Sequence, residues 1–277
     1  MTDAAKLPLM LTELRMPTIG RLWQDIGATA DKEGWGAARF LAALCEHEIA
    51  ERSQRRINRH LTESGLQPGK TLETFDFAAV PSLRKAHILA LATGATWLEA
   101  GANILIFGPS GTGKTHVAAA IGTGLIDHGY RVLFTRTTDL VQKLQAARRD
   151  LMLPAMLTKL DKFDCVILDD LGYVRKDHAE TNVLFELIAE RYERKSLIVT
   201  CNQPFSEWDK IFPDPAVTVA AIDRLVHHST IVEINTDSYR CRAAAENAAT
   251  RSGRTEPKTS SKKAIDKAAT EQLNRST

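Results

Sequence analysis

The sequence has few aromatic residues, no closely spaced cysteines and no long apolar run. Aromatics make up 6% of 277 positions, and no interleaving of basic and aromatic residues marks a base-stacking platform for single strands. Cys45, Cys165, Cys201 and Cys241 form no C-x-x-C pair. A redox dithiol or paired-cysteine zinc site is therefore not expected, and the wide spacing predicts reduced, structural thiols in a cytoplasmic protein. The eight histidines contain no H-E-x-x-H, and the adjacent His227 and His228 are expected to be structural, not metal ligands. No apolar stretch approaches the roughly 18 residues of a membrane span. Asp3 and Lys6 interrupt the N-terminal stretch, so no signal peptide or membrane partner is expected. An excess of one charge is missing as well: 36 Lys and Arg face 34 Asp and Glu. That near-neutral total is an average. Residues 250–277 hold seven of the basic and three of the acidic groups, leaving 29 and 31 for the first 249 residues. Any nucleic-acid contact in the folded part must come from local clusters.

What is present changes character near residue 66. Residues 1–65 read as a small all-α domain. Leu7, Leu11 and Leu14 recur at helical spacing, Ile19, Leu22, Trp23 and Ile26 form a second stripe, and a long helix runs from Ala37 to Ser64. On that helix Phe40, Leu41, Leu44, Ile49, Ile57 and Leu61 are expected on the buried side, and Gly65 is its stop. Residues 66–245 read as an α/β core that opens with one apolar helix, LRKAHILALATGATWL. Apolar runs NILIF, VLFT, CVILD, LIVT and TIVEI then alternate with helical stretches. Short runs apolar on both faces predict a five-stranded parallel sheet flanked by helices. Residues 246–277, a basic tail with one Ile and one Leu from 250 onward, bury too little apolar surface to offset their ordering entropy.

GPSGTGKT at 108–115 fits G-x-x-x-x-G-K-[ST] in full, after a strand and at the start of a helix. Gly108, Gly111 and Gly113, with Pro109, Ser110 and Thr112 between them, would let backbone N–H groups face phosphate oxygens. Lys114 would reach the β- and γ-phosphates of ATP, with His116 beside it, and the Thr115 hydroxyl would ligate Mg2+. CVILDD supplies the acid such a loop requires: Asp169 would hold the magnesium and Asp170 would polarise water. Asp170 stands where many such ATPases use the longer Glu, so slow hydrolysis is expected, with ATP acting more as timer than fuel. Asn202, at the end of LIVTC, can donate to a γ-phosphate oxygen and accept from water. No N-K-x-D for guanine occurs.

KTLETFDF, NILIFGPSGTGKTHVA, ILDDLGY, IAERYERKSLIVTCNQPFSEW, IDRLVHHS and DSYR appear in that order. Together they resemble IstB-like ATP-binding proteins, the transposition helpers of insertion sequences. These are similar to DnaC-type helicase loaders within the initiator clade of AAA+ ATPases. The resemblance covers residues 1–245. It implies an AAA+ core, ATP-dependent self-assembly on duplex DNA, deformation of that DNA and recruitment of a transposase. It implies that Arg224 is an arginine finger reaching a neighbouring subunit's γ-phosphate. Arg240 is a candidate second arginine sensor, with Arg242 equally close. Asp170 and Cys201 depart from the commonest family form.

Arg52, Arg55, Arg56 and Arg59 fall on one helical face with no acid between them, so a phosphate backbone is a natural partner. Their alternative is a solvated face paired with Glu48, Glu51 and Glu63. Lys143, Arg148 and Arg149 form a second candidate cluster, at a helix C-terminus that favours cations anyway. Phe75 and Phe77 either wall an adenine or pack in the core. Arg191 and Arg194 are expected in surface ion pairs, with a subunit interface as the alternative. The leading reading is an ATP-controlled, DNA-binding transposition helper; the alternatives are a replicative helicase loader and a small-molecule kinase.

Overall fold

Glycine and proline punctuate the first helices. The computed structural model describes residues 3–172 and 177–236. Helix α1 (Asp3–Glu13) is followed by α2 (Pro17–Glu33), which starts on a proline and ends at Gly34, and by the 28-residue α3 (Ala37–Ser64), which ends at Gly65. Both glycines take left-handed backbone at the helix end, a conformation that costs them no Cβ clash. Leu11, Ile19 and Leu44 make a small core with Trp23, Ile26 and Phe40 packed against it.

Met16, at the start of α2, offers no side-chain cap. Glu48 from α3 replaces it: its buried carboxylate accepts from the Thr18 N–H (2.8 Å) and the Ile19 N–H (3.1 Å). This satisfies two of the open donors of a helix start across a helix–helix contact.

Helix α3 does not present the single buried face expected of it. Leu41, Ile49 and Leu61 are exposed, at 60%, 66% and 37%. The helix serves two partners in turn. Phe40 and Leu44 meet α2 and its neighbours, whereas Ile57 packs on the sheet core and His60 Nδ1 lies 3.0 Å from Tyr130 O. A stripe facing one partner need not face a second partner about four turns further on.

The expected single helix over 83–98 is two, α4 (Lys85–Thr93) and α5 (Ala95–Glu99), broken at Gly94. A Cβ there would lie 2.2 Å from Leu125 Cδ2, and φ is +75°. Close packing against α6 (Lys114–Asp127) therefore requires the break.

The strands are β1 (Asn103–Phe107), β2 (Val132–Arg136), β3 (Cys165–Asp169), β4 (Ser196–Cys201) and β5 (Ser229–Glu233). All pair in parallel, in the order β2-β3-β4-β1-β5. The middle three are buried throughout; edge strands β2 and β5 are only partly so. Helices α7 (Thr137–Arg149), α8 (Leu153–Leu160), α9 (His178–Arg191) and α10 (Pro215–Val226) complete the layers. Two apolar clusters, one containing Leu105, Val166 and Val199 and the other Ile104, Ile167 and Ile198, occupy the two faces of the sheet. This is an α/β fold, a five-stranded parallel sheet flanked by helices, with the phosphate-loop sequence between β1 and α6.

Arg191 is not a surface ion pair. It is 1% exposed, and its guanidinium donates to the carbonyls of Leu160, Phe163, Asp164 and Ser196 at 3.0–3.3 Å. These carbonyls lie at the end of α8, just before β3 and at the start of β4, and the two terminal nitrogens of one planar guanidinium reach all of them. Arg194 does remain at the surface, bonded to Asp161 and Glu190.

Candidate functional site

The carboxyl ends of β1, β3 and β4 meet where a nucleotide site of an open parallel sheet is expected. Residues 108–113 leave β1 and turn into α6. Two glycines there admit no side chain. A Cβ on Gly108 would stand 2.3 Å from Ile234 O, and one on Gly113 would stand 3.0 Å from the Phe75 ring with φ at +98°. Lys114 is 4% exposed, and its Nζ lies 2.8 Å from both Gly108 O and Pro109 O. The ammonium is thus folded back on the loop that it would leave for a phosphate.

Asp169 closes β3 beneath this loop. Its Oδ2 accepts from Thr115 Oγ1 (3.2 Å), its Oδ1 from Thr200 Oγ1 (2.7 Å), and its carbonyl from Thr137 Oγ1 (2.9 Å). Burial pushes its carboxyl pKa up and the neighbouring Asp170 adds to this, against hydrogen bonds from Thr200 and Thr115 and the charge of Lys70. A hydroxyl and a buried carboxylate side by side are hard oxygen donors of the kind Mg2+ takes, and a cation there would relieve the burial of the charge. The residues present therefore fit the ion.

Asp170 follows with φ at +57°, a left-handed backbone uncommon outside glycine. Its N–H donates to Thr200 Oγ1 (2.9 Å). One hydroxyl thereby fixes the Asp169 carboxylate and the Asp170 backbone together. Asp170 and Asn202 line the same cleft as Ser110–Thr115, Lys70, Phe75, Asp76 and His116. His116 Nε2 lies 3.0 Å from Thr71 O and 3.2 Å from Thr74 Oγ1, and its ring meets Phe75 edge-on. This ties the start of α6 to the segment that bears Phe75. Phe75 faces both ways: it lines the cleft and packs on the core with Phe77.

Arg224 is not among the cleft-lining residues. On α10 it donates to Ala220 O (3.1 Å) and its guanidinium lies 5.0 Å from the centre of the Phe185 ring. Arg240 lies outside the described residues.

The basic clusters divide. Arg52 and Arg55 both reach Glu48, at 2.9 and 3.4 Å, while keeping about half of their side-chain surface. Arg56 and Arg59 are exposed, Arg56 standing over Gly129. Lys143 and Arg149 are exposed, and Arg148 pairs with Glu186 at 3.0 Å. Arg15, unremarked in the sequence, joins Arg52 and Arg55 around a shallow pocket. Sequence reading also missed Lys70, Thr137 and Thr200. Thr200 did carry a signal, as the hydroxyl inside an apolar strand run, a group whose burial demands a partner.

Burial pushes the Cys165 thiol up to about 12 and that of Cys201 upward as well, which suits structural, unreactive thiols. Among the described residues no helix is long and apolar enough to cross a membrane.

Comparison with known proteins agrees with this architecture. The IstB-like ATP binding protein family matches residues 9–247. An insertion sequence ATP-binding protein of Sinorhizobium fredii is 64% identical over 88% of this chain and 82% of its own. The IS21 insertion sequence ATP-binding protein of Pseudomonas aeruginosa is 34% identical over 85% and 88%. Among solved structures, AMPPCP-bound DnaA from Aquifex aeolicus shares the fold at a TM-score of 0.52 and 22% identity, over 68% of this chain and 57% of that one. The chain thus belongs to the IstB-like ATP-binding family, the ATP-binding proteins of insertion sequences.

Proposed function

We propose that the chain is an ATPase that uses bound ATP to assemble on duplex DNA, deforms that DNA and recruits or activates a partner transposase. The observation that carries this reading is the convergence of Lys114, Thr115, Asp169, Asp170 and Asn202 on one cleft at the strand ends, in a family associated with insertion sequences.

In this reading the loop N–H groups of residues 108–113 bind the phosphates and Lys114 swings from Gly108 O to the β- and γ-oxygens. Thr115 and Asp169 would hold Mg2+, which supplies charge neutralisation across those oxygens. Asp170 orients the attacking water and Asn202 contacts the γ-phosphate. Arg224, absent from its own subunit's cleft, serves the neighbour's, so that ATP bridges two copies. Arg240 is proposed as a second sensor on the basis of its DSYR motif alone.

Arg52, Arg55, Arg56 and Arg59, with Lys143, Arg148 and Arg149, contact the DNA backbone in this reading. Contacts repeated along an assembly offset the several kcal/mol that bending stiff DNA costs. Residues 1–65 form the DNA-binding and assembly domain, 66–245 the ATPase core and 246–277 an additional basic segment.

Sedimentation with duplex DNA tests the reading. A large complex is expected with ATP and not with ADP or without nucleotide. Failure to form any ATP- and DNA-dependent assembly would falsify it. A basal turnover well below the enzyme median of roughly 10 s⁻¹ is expected; a faster basal rate would contradict the timer role of ATP.

A further inference from the structure

The amino ends of the strands, opposite the nucleotide cleft, carry a second cluster of chemistry. Glu193 lies in the turn before β4, and His227 and His228 lie between α10 and β5. Glu193 Oε1 stands 3.8 Å from His227 Nδ1 and 3.6 Å from His228 Nε2. One ligand atom from each residue falls within 4.8 Å of the others, and all three residues are exposed. Bonds of about 2.0–2.2 Å around a tetrahedral metal place ligand atoms roughly 3.4 Å apart. The two carboxylate–imidazole spacings are close to that already.

The backbone holds these side chains in place. β1 runs between β4 and β5, and Asn103 at its start grips both flanking segments. Its N–H donates to His228 O (2.7 Å), its Nδ2 to Leu225 O (3.2 Å), and its Oδ1 accepts from Leu197 N–H (2.9 Å). Gly101 fits against the Glu193 backbone so closely that a Cβ would lie 2.8 Å from the Glu193 carbonyl carbon. Glu193 itself sits at φ +57°, a conformation retained when surroundings impose it. The loops meet at this point because of contacts independent of the side chains that face one another.

We propose that Glu193, His227 and His228 form a divalent transition-metal site of the zinc class, with solvent completing the coordination. Two imidazoles favour zinc-like ions over magnesium or calcium, which take oxygen ligands. The Tyr192 hydroxyl lies 2.6 Å from His227 Nδ1, and a metal bound at that nitrogen takes the place of this contact. Binding ties the turn before β4 to the end of α10, the helix that carries Arg224 one turn earlier.

The test is calorimetric titration of Zn2+ into the untagged, chelator-treated 277-residue chain, in a Cys45→Ser background that removes the one thiol exposed among the described residues. The same titration is made on Glu193→Gln and His228→Ala, with circular dichroism to confirm folding. One equivalent is expected, weakened at least about tenfold by each ligand substitution, as loss of even an outer-sphere partner does. The isosteric Glu193→Gln keeps the test valid should His228→Ala fail to fold. A stoichiometry and affinity unchanged by Glu193→Gln and His228→Ala would overturn the site.

Discussion

Thr200 connects two acidic neighbours through a single hydroxyl. It donates to Asp169 Oδ1 and accepts from the Asp170 N–H, so it sets both the proposed metal ligand and the aim of the next carboxylate. Thr200→Val preserves the shape of the side chain and removes both bonds. Because Thr200 is not part of the cleft lining, the substitution is expected to leave ATP affinity within a few-fold and to lower turnover by about 10- to 100-fold, the cost of a misplacement near 1 Å. Steady-state kinetics beside a nucleotide-binding titration would separate the two; unchanged turnover refutes the positioning role. The phosphate loop and Asp169 were legible in the sequence because each is a local pattern flanked by its own strand. Thr200 was not, because its partnership depends on the register that sets Leu168 opposite Val199, a relation between segments some thirty residues apart. Asp170 was legible as an acid, but its left-handed backbone was not.

At the scale of elements, α3 behaves as a connecting rod. Its first half anchors α2 through Glu48, and its last turns lie on the sheet core. Its helical character was readable from periodicity and from Gly65, but its buried face was not, because partners on different sides reassign exposed and buried positions along its length. Glu48 supplies the main test. Burial alone would raise its pKa, but hydrogen bonds from Arg52 and from the Ile19 and Thr18 N–H groups outweigh it and hold the carboxyl below 4.5. A depressed carboxyl contributes stability above its unfolded pKa and loses it as pH falls through the folded value. The packing of α2 on α3 should therefore weaken below pH 4.5, and not between neutral pH and that point. Glu48→Ala should cost about 1.5–3 kcal/mol, the range for hydrogen bonds to a charged group, and flatten the acid dependence. Urea unfolding of the full chain across pH reads both; a loss under about 0.5 kcal/mol, the usual bound for a neutral surface substitution, would show that the cap is dispensable.

At the scale of the whole molecule, the charge balance and the place of Arg224 bear on the proposed assembly. The slightly acidic first 249 residues keep their exposed cations in patches, and Arg52 and Arg55 lend part of theirs to Glu48. Binding to duplex DNA that rests on the backbone should fall steeply with salt, by orders of magnitude between about 50 and 200 mM if several phosphates are neutralised in each complex. Arg56→Ala and Arg59→Ala should each reduce the salt slope by about one without altering ATP affinity; an unchanged slope removes those residues from the interface. Arg224 makes a sharper case. An arginine supplied between subunits is worth about 10³–10⁵ in turnover, so Arg224→Ala should bind ATP nearly as the parent chain does, yet fail to assemble or hydrolyse. Lys114→Ala should fail for the complementary reason. A mixture of the two variants restores sites in which one chain provides the intact cleft and its neighbour the intact finger. Turnover recovered by mixing two inactive proteins is the expected result, read at fixed total concentration with duplex DNA present. If the mixture stays inactive while Arg224→Ala alone has lost ATP affinity, Arg224 acts on its own subunit and the bridge between copies must be sought elsewhere.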